Sequence, residues 1–359
     1  MEKIKVHTKE ERGYQIIIGK QILKKLPSLI DLSKYSKVTV LLDENMVKAG
    51  WLNELKKEAK QDIFTIKIKS GEKNKTLKTV EKIWNKMQKL GLDRKSLLIN
   101  LGGGGVCDLG GFCASTYMRG IDFLQIPTTL LSQVDASVGG KTGFNLNGIK
   151  NCIGTFNKPI VVLIDVDILT TLPTREFNSG FGEILKYGIS YDKKFFDYLK
   201  NLDKENLQTE ELLKIIKISC EIKAKIVDKD FKETGLRKIL NFGHTLGHAI
   251  ESLSLKSKKP LLHGEAIAIG MVGEAYISYK LERITEKEFL KVKEIIESYN
   301  LSIKYKTNKK TEIYKLLLKD KKNISKKIKW VLMDKIGLSN IDLEIDQKVI
   351  KEAIKYITN

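Results

Sequence analysis

The first half of the chain alternates short apolar segments with amphipathic ones, and this alternation restricts the possible fold most strongly. Six segments rich in Ile, Val and Leu predict strands: YQIIIG, KVTVLLD, DIFTIKIK, SLLINLGGGG, FLQIPTT and IVVLIDV. Between them, TLKTVEKIWNKMQKLG places Val80, Ile83, Trp84 and Met87 on one helical face. Strands that alternate with helices predict a mainly parallel sheet covered by helices.

From about residue 170 the strand signal nearly disappears. ELLKIIKISCEIKAKIVDKD, GEAIAIGMVGEAYISYKLE and KEFLKVKEIIESYN predict helices, whereas KKIKWVLMDKIG near the end predicts a strand or hairpin. A chain of 359 residues is long enough for two domains. We therefore predict an α/β domain over residues 1–166 and a helical domain over residues 167–359.

The formal net charge of +20 raises the question of a nucleic-acid partner. Only six of the 64 basic residues are Arg, and the Lys residues are scattered, so we interpret the charge as a compositional bias toward Lys. Such a field favours a small anionic substrate, and we expect no nucleic-acid partner. DNA or RNA binding stays an alternative, and it would show a steep salt dependence.

Cellular location is predicted from what the sequence lacks. No apolar run approaches the roughly 18 residues of a membrane span, and the first residues lack the apolar region of a secretory signal. The four cysteines form no CxxC pair, which fits a reducing compartment. We expect a cytoplasmic protein with no membrane partner.

A glycine-rich segment, INLGGGGVCDLGG, follows a predicted strand and opens a predicted helix. Glycines let the backbone approach a bulky anion, and a helix amino terminus offers N–H groups to bind it, so a dinucleotide pyrophosphate is our interpretation. The pattern is not GxGxxG, and a tight turn without a ligand stays open. Asp43 ends the strand VTVLLD, where a carboxylate often binds a ribose diol.

A second segment, GGKTGFNLNGIKNCIGTF, combines glycines with Lys141, Lys150 and Asn151. We interpret it as a loop that binds a phosphate or a polyol. A flexible loop with solvated lysines is the alternative.

Histidine is concentrated in one segment. Three of the four histidines lie between Asn241 and Glu265, and the fourth is His7. His244 and His248 share a helix face, whereas His263 begins a new helix, and two helices can supply the ligands of a divalent metal. HTLGH has no Glu between its histidines, which excludes the zinc-peptidase pattern. Glu183, in GFGEILKYG and one turn before Lys186, is the candidate acidic ligand; purely structural histidines stay an alternative.

Many ordered motifs together resemble the 3-dehydroquinate synthases, which are sugar-phosphate cyclases. They span roughly residues 40 to 340: GEKNK, GGGGVCD, YMRG, IPTTLLSQVDASVGGKTGFN, KNCIGTF, TLPTRE, GFGEILKYG, ETGLRKILNFGHTLGHAIE and LHGEA. The resemblance implies a Rossmann-like α/β domain that binds NAD and an all-α carboxy-terminal domain that binds metal and substrate. It also implies a homodimer.

The resemblance implies the site residues. Zinc or cobalt would bind to Glu183, His244 and His263. NAD would bind to Asp43, Ser70, Gly71, Glu72, Lys73, Asn74, Lys75, Gly104, Gly105, Val106, Cys107, Asp108, Thr128, Thr129, Lys141, Lys150, Ile168, Leu169, Thr170 and Thr171. Substrate and catalytic positions would be Arg119, Asp135, Lys141, Asn151, Lys186, Lys223, Arg237, Asn241, His248 and Lys322.

The implied roles differ among these positions. Lys223 and Arg237 would face the substrate carboxylate, whereas Lys141, Asn151 and His248 would face its phosphate. Arg119 would reach across a dimer interface.

The sequence departs from the family pattern at two places. Cys107 replaces a glycine and Gly105 a valine of the family pattern, and a positive φ at residue 107 would cost roughly 1 kcal/mol and loosen NAD. Phe231 replaces a residue that is commonly acidic.

The implied reaction belongs to the shikimate pathway of aromatic amino-acid biosynthesis. The sugar acid phosphate 3-deoxy-D-arabino-heptulosonate 7-phosphate would undergo NAD-dependent oxidation, phosphate elimination, re-reduction, ring opening and aldol closure to 3-dehydroquinate. Two alternatives stay open: a cyclase that makes an inosose or valiolone, and a metal-dependent alcohol dehydrogenase of the glycerol dehydrogenase type. Retention of Lys223, Arg237 and Asn241 favours a substrate with a carboxylate.

Overall fold

The computed structural model describes residues 1–6, 13–59, 61–147, 149–255, 257–318 and 328–359. Contacts divide the chain into two compact units. The first contains Met1–Pro173 and Thr209–Lys232, and the second contains Thr174–Gln208 and Glu233–Asn359. The boundary predicted between residues 166 and 167 stays a prediction. Among the described residues, no helix is long and apolar enough to cross a bilayer.

The first unit is built on alternating strands and helices. Its strands are β1 (Glu2–Val6), β2 (Tyr14–Gly19), β3 (Val38–Asp43), β4 (Ile63–Ile68), β5 (Leu97–Gly102), β6 (Asp122–Pro127), β7 (Lys141–Leu146), β8 (Ile149–Phe156) and β9 (Val161–Asp165). Its helices are α1 (Leu26–Leu29), α2 (Glu44–Lys48), α3 (Trp51–Glu58), α4 (Leu77–Lys89), α5 (Gly104–Thr116) and α8 (Thr209–Lys229), the last separated from the others by α6 and α7 of the second unit. A 3-10 helix, Val166–Thr171, follows β9.

A seven-stranded sheet is the centre of this unit, in the order β1-β2-β9-β6-β5-β3-β4. All six predicted strands are confirmed, and only the β1–β2 pair is antiparallel. Alternate residues are buried on opposite faces: Ile99 and Leu124 in one apolar cluster, Leu98 and Phe123 in the other. Burial on both faces explains why these strands read as continuous apolar runs.

Two parts of this unit differ from the sequence prediction. β1 was not predicted. The segment interpreted as a binding loop is instead an antiparallel hairpin of β7 and β8, in which Lys141 pairs with Phe156. Only the loop assignment was wrong, because Gly143 and Gly154 weaken the local strand signal; a Cβ on Gly154 would lie 2.1 Å from the Thr142 carbonyl oxygen. Binding of a phosphate or a polyol by this segment stays a prediction.

The second unit is mainly helical. Its helices are α6 (Thr174–Ser190), α7 (Lys193–Lys200), α9 (His244–Ser254), α10 (His263–Lys280), α11 (Glu286–Ser298), α12 (Lys310–Leu318) and α13 (Gln347–Thr358), with a 3-10 helix at Leu236–Asn241. The apolar segment near the end forms a hairpin of β10 (Trp330–Lys335) and β11 (Leu338–Leu343). The predicted fold class, an α/β part followed by a helical part, is confirmed.

Candidate active site

Close glycine contacts bring α6 and α10 of the second unit together. A Cβ on Gly182 would lie 2.5 Å from the carbonyl oxygen of Gly264, and a Cβ on Gly264 would lie 1.7 Å from the Ser179 oxygen. Only residues without a side chain allow this backbone approach. Because Glu183 and His263 are the sequence neighbours of these glycines, the contact places them side by side.

A second glycine contact fixes α9 against α10. Gly243 precedes α9 with φ of +79°, a left-handed conformation that favours glycine, and a Cβ on Gly270 would lie 1.9 Å from the Gly243 carbonyl oxygen. The chain can therefore turn sharply into α9 directly over α10. From this position the ring of His244, the first residue of α9, lies 5.5 Å from the ring of His263 at the start of α10, centroid to centroid.

Three donor atoms converge where these helices meet. Glu183 Oε1 lies 3.4 Å from His244 Nε2 and 3.4 Å from His263 Nε2. Two ligands bound at 2.0–2.2 Å to a tetrahedral ion lie about 3.3–3.6 Å apart, so the spacing fits a shared zinc-like ion. The Glu183 side chain is fully buried, whereas that of His263 is 30% exposed. The arrangement offers one carboxylate and two imidazoles, a donor set suited to zinc or cobalt.

Neighbouring groups orient both imidazoles. His244 Nδ1 lies 3.1 Å from the Phe242 carbonyl oxygen, and His263 Nδ1 lies 3.4 Å from Glu251 Oε2. Since these oxygens accept, each Nδ1 carries the proton and each Nε2 faces the common point. Burial opposes protonation of His263, but the charges of Glu251 and Glu183 outweigh it and raise the pKa of His263 to about 10. These carboxylates therefore give the site a negative electrostatic potential, which attracts a cation.

His248 belongs to the same cluster. One nitrogen of each of His244, His248 and His263 lies within 4.8 Å of the others. This geometry makes His248 a possible fourth donor, but the 3.4 Å spacings single out Glu183 with the other two histidines. We therefore keep His248 as the predicted group that acts on substrate.

Other predicted residues of the second unit lie on α6 and before α9. Lys186 is almost fully buried and donates to Glu183 Oε2. Arg237 and Asn241 lie in the Leu236–Asn241 helix, where Arg237 is buried and Asn241 Nδ2 donates to Glu233 Oε1 at 2.8 Å. Lys322, like His7, lies outside the described residues.

In the first unit, the predicted NAD residues follow the carboxyl ends of parallel strands. Asp43 ends β3, Ser70–Lys75 follow β4, Gly104–Asp108 follow β5, Thr128 and Thr129 follow β6, and Ile168–Thr171 follow β9. Because these strands are parallel, their carboxyl ends lie along one edge of the sheet, where open α/β sheets bind their ligands. α5 begins at this edge directly after two consecutive glycines, Gly102 and Gly103, and presents its N–H groups there.

Asp43 and Cys107 have structural surroundings that bear on NAD. Asp43 Oδ1 accepts from Asn45 N at 2.9 Å and from Met46 N at 3.4 Å, so the carboxylate caps α2; burial raises the pKa of Asp43.

Cys107 lies within α5, and its φ is not positive. The strain expected at Cys107 is therefore absent. Its side chain is buried, and burial raises the pKa of the thiol far above its usual range.

Lys75 is the centre of a buried polar group at this edge. Its Nζ donates to Asp108 and to Asn151 Oδ1. The structure thus joins two predicted NAD residues with a predicted substrate residue, Asn151, which has a φ of +47°. Lys141 begins β7 and Lys150 lies on β8.

Lys223 of α8 pairs with Asp135 in the same unit. Lys223 Nζ lies 2.7 Å from Asp135 Oδ1, and the lysine side chain is 6% exposed.

Two further residues singled out in the sequence also lie in this unit. Phe231, at a position that is commonly acidic in the family, packs on Phe156 with ring centroids 5.7 Å apart. Arg119 is exposed and has a φ of +68°.

Sequence reasoning missed several groups that support the site. Glu251 is seven positions after His244 in the quoted motif, and Arg175 lies in TLPTRE, but neither was assigned a role. Arg175 forms two hydrogen bonds of 2.7 Å to Glu265, near the start of α10. The spacing of two helical turns between His244 and Glu251 was the available signal.

Two family models match the chain: 3-dehydroquinate synthase N-terminal over residues 65–179, and 3-dehydroquinate synthase C-terminal over residues 180–323. A 3-dehydroquinate synthase of Thermodesulfovibrio yellowstonii is 42% identical over 365 residues, covering 99% of this chain and 99% of the relative. At this identity and coverage the similarity extends through both units.

Solved structures with other activities share the fold. The 2-epi-5-epi-valiolone synthase of Streptomyces hygroscopicus, with NAD+ and Zn2+ bound, has a TM-score of 0.88 and 25% identity, covering 98% of both chains. A 2-deoxy-scyllo-inosose synthase complexed with carbaglucose-6-phosphate, NAD+ and Co2+ has a TM-score of 0.86 and 23% identity, covering 99% of this chain and 100% of that one.

Proposed function

The chain belongs to the 3-dehydroquinate synthase family, and we propose that it converts 3-deoxy-D-arabino-heptulosonate 7-phosphate to 3-dehydroquinate and phosphate. The observation that carries the proposal is the metal centre. Glu183, His244 and His263 come from three helices and present one carboxylate oxygen 3.4 Å from each of two imidazole nitrogens.

NAD binds the first unit in this proposal. The residues proposed for it follow five parallel strands at one edge of the sheet, and α5 directs its N–H groups toward that edge. NAD supplies a hydride acceptor that is regenerated in each turnover. Asp43 holds the ribose, and Gly104 and Gly105 let the backbone approach the pyrophosphate.

The residues of the second unit hold the metal and handle substrate charge. A bound divalent ion lowers the pKa of a hydroxyl that it coordinates. Lys186 compensates the charge of Glu183 and keeps its Oε1 directed at the histidines. Arg237 is a buried cation suited to a carboxylate. His248 lies beside the two histidine ligands, and the proposal assigns to it the proton exchange with the leaving phosphate that the resemblance implies.

The experiment uses purified protein with NAD, zinc and the heptulosonate phosphate. We expect one phosphate released per dehydroquinate formed, with no net change in NADH absorbance. An alcohol dehydrogenase would accumulate NADH instead. We further expect His263→Ala to abolish turnover while NAD binding, measured by fluorescence, stays within about twofold of the wild type. Wild-type turnover in metal-free protein would refute the metal role.

The proposal includes the homodimer that the resemblance implies. A homodimer with Arg119 contributed across its interface predicts a mass of two chains in solution. A monomer with full activity would contradict this role of Arg119.

A further inference from the structure

Both proposed histidine ligands occupy the first position of a helix. His244 begins α9 and His263 begins α10. The first turn of a helix carries unpaired N–H groups and a partial positive charge. The two helix starts therefore oppose binding of a divalent cation, whereas the Glu183 and Glu251 carboxylates favour it. Further negative charge at the helix starts should strengthen binding.

Glu274 places a carboxylate at the start of α9. Its Oε2 accepts from Gly243 N at 2.7 Å, and its Oε1 accepts from Thr245 N at 3.0 Å and Leu246 N at 3.3 Å. The Glu274 side chain is fully buried. Because the residue before α9 is a glycine without a capping side chain, Glu274 caps α9 from the neighbouring helix α10 with a carboxylate that accepts through both oxygens.

The start of α10 is compensated differently. Glu265 accepts from Leu262 N at 2.8 Å, but it also forms a bidentate ion pair with Arg175. A guanidinium offsets the charge of Glu265, so this carboxylate contributes less to the potential at the metal.

We propose that Glu274 is a positioning residue for the metal: it holds the first turn of α9 in place and offsets the positive end of that helix, so that His244 binds a divalent cation tightly. This inference rests on the proposed metal site. Glu274 acts through the backbone N–H groups of Gly243, Thr245 and Leu246, which flank His244.

The test measures zinc affinity of the full-length, metal-free protein by competition with a chromophoric chelator. Glu274→Gln keeps the size of the side chain and removes its charge, and we expect about tenfold weaker zinc binding, the range seen for groups beyond the first ligand shell. NAD affinity should stay unchanged.

Glu288→Gln is the matched control, since Glu288 accepts from Thr285 N at 3.0 Å at the start of α11, a helix without a proposed ligand. It should lower the unfolding temperature and leave zinc affinity unchanged.

Unchanged zinc affinity in folded Glu274→Gln, or an equal loss in Glu288→Gln, overturns the inference. If Glu274→Gln is recovered only unfolded, Glu274→Asp replaces it and should bind zinc about threefold more weakly. A lowered unfolding temperature with wild-type zinc affinity in Glu274→Asp would contradict the proposal. His263→Ala distinguishes failure of the metal site from failure of the role of Glu274. If His263→Ala retains zinc binding, the proposed metal site is wrong. If His263→Ala loses zinc binding but Glu274→Gln does not, only the inference about Glu274 is wrong.

Discussion

Lys186 donates to Glu183 from one turn further along α6, and both side chains are buried. The contact uses Oε2 of the carboxylate and leaves Oε1 directed at His244 and His263. Lys186 therefore both compensates a buried charge and selects which oxygen faces the metal. An isolated buried carboxylate would otherwise be strongly destabilising.

Lys186→Met should destabilise the metal-free protein more than the zinc-bound protein. Removing one partner of a buried ion pair costs about 3–5 kcal/mol, and a bound cation compensates part of that charge. Thermal unfolding with and without zinc measures the difference. Lys193→Met is the control, because its pair with Asp197 is exposed and should contribute less than about 1 kcal/mol. Equal destabilisation with and without zinc would contradict this account.

The elevated pKa of His263 predicts a pH dependence of the metal-free protein. The pKa of His263 in the folded protein, about 10, lies above the usual histidine value of 6.5, so protonated His263 stabilises the fold fully below about pH 6.5. This contribution is lost as the pH rises toward 10. The free energy of unfolding of the wild type, relative to His263→Gln, should therefore fall between about pH 6.5 and pH 9.5 in urea titrations. A difference that rises over this range would show the opposite sign.

Gly182→Ala should separate α6 from α10. The added Cβ would lie 2.5 Å from the Gly264 carbonyl oxygen, and we expect a loss of about 1–3 kcal/mol. Zinc affinity should fall as well, because Glu183 moves with α6. Gly105→Ala is the control for stability, since its Cβ would meet no atom within 4 Å. If Gly182→Ala is as stable as the wild type, the close approach does not constrain the site.

Cys107→Gly should restore the family residue without improving NAD binding. Cys107 is buried and helical, so glycine should lower stability by about 1 kcal/mol or more. Its φ is already unstrained, and the NAD dissociation constant should stay the same. Tighter NAD binding by the variant would indicate that this position requires a glycine conformation.

The predictable parts of the fold are those with a strong local signal. β5 was predicted because every residue from Leu97 to Gly102 is buried between two layers of helices. The β7–β8 hairpin was not, because its stability comes from cross-strand pairing of glycine-containing segments rather than from apolar alternation. Local patterns do not contain that information.

The candidate site likewise contains residues that a local sequence pattern predicts and residues that it does not. Glu183 could be selected because glycines precede it and Lys186 follows one turn later. Glu274 lies in an apolar helical segment, and its function depends on the start of a different helix, so no spacing within α10 marks it. The residue roles carried by the resemblance stay predictions.

The return of Thr209–Lys232 to the first unit has a consequence for synthesis and for truncation. α8 packs on β1 and β2 and supplies Lys223 to Asp135, yet it is made after α6 and α7 of the second unit. A ribosome-bound chain that ends before residue 209 therefore exposes apolar sheet surface and leaves the Asp135 carboxylate without Lys223. No single cleavage of the backbone yields both units intact, and an amino-terminal fragment intended to bind NAD alone would need α8 supplied as a separate peptide.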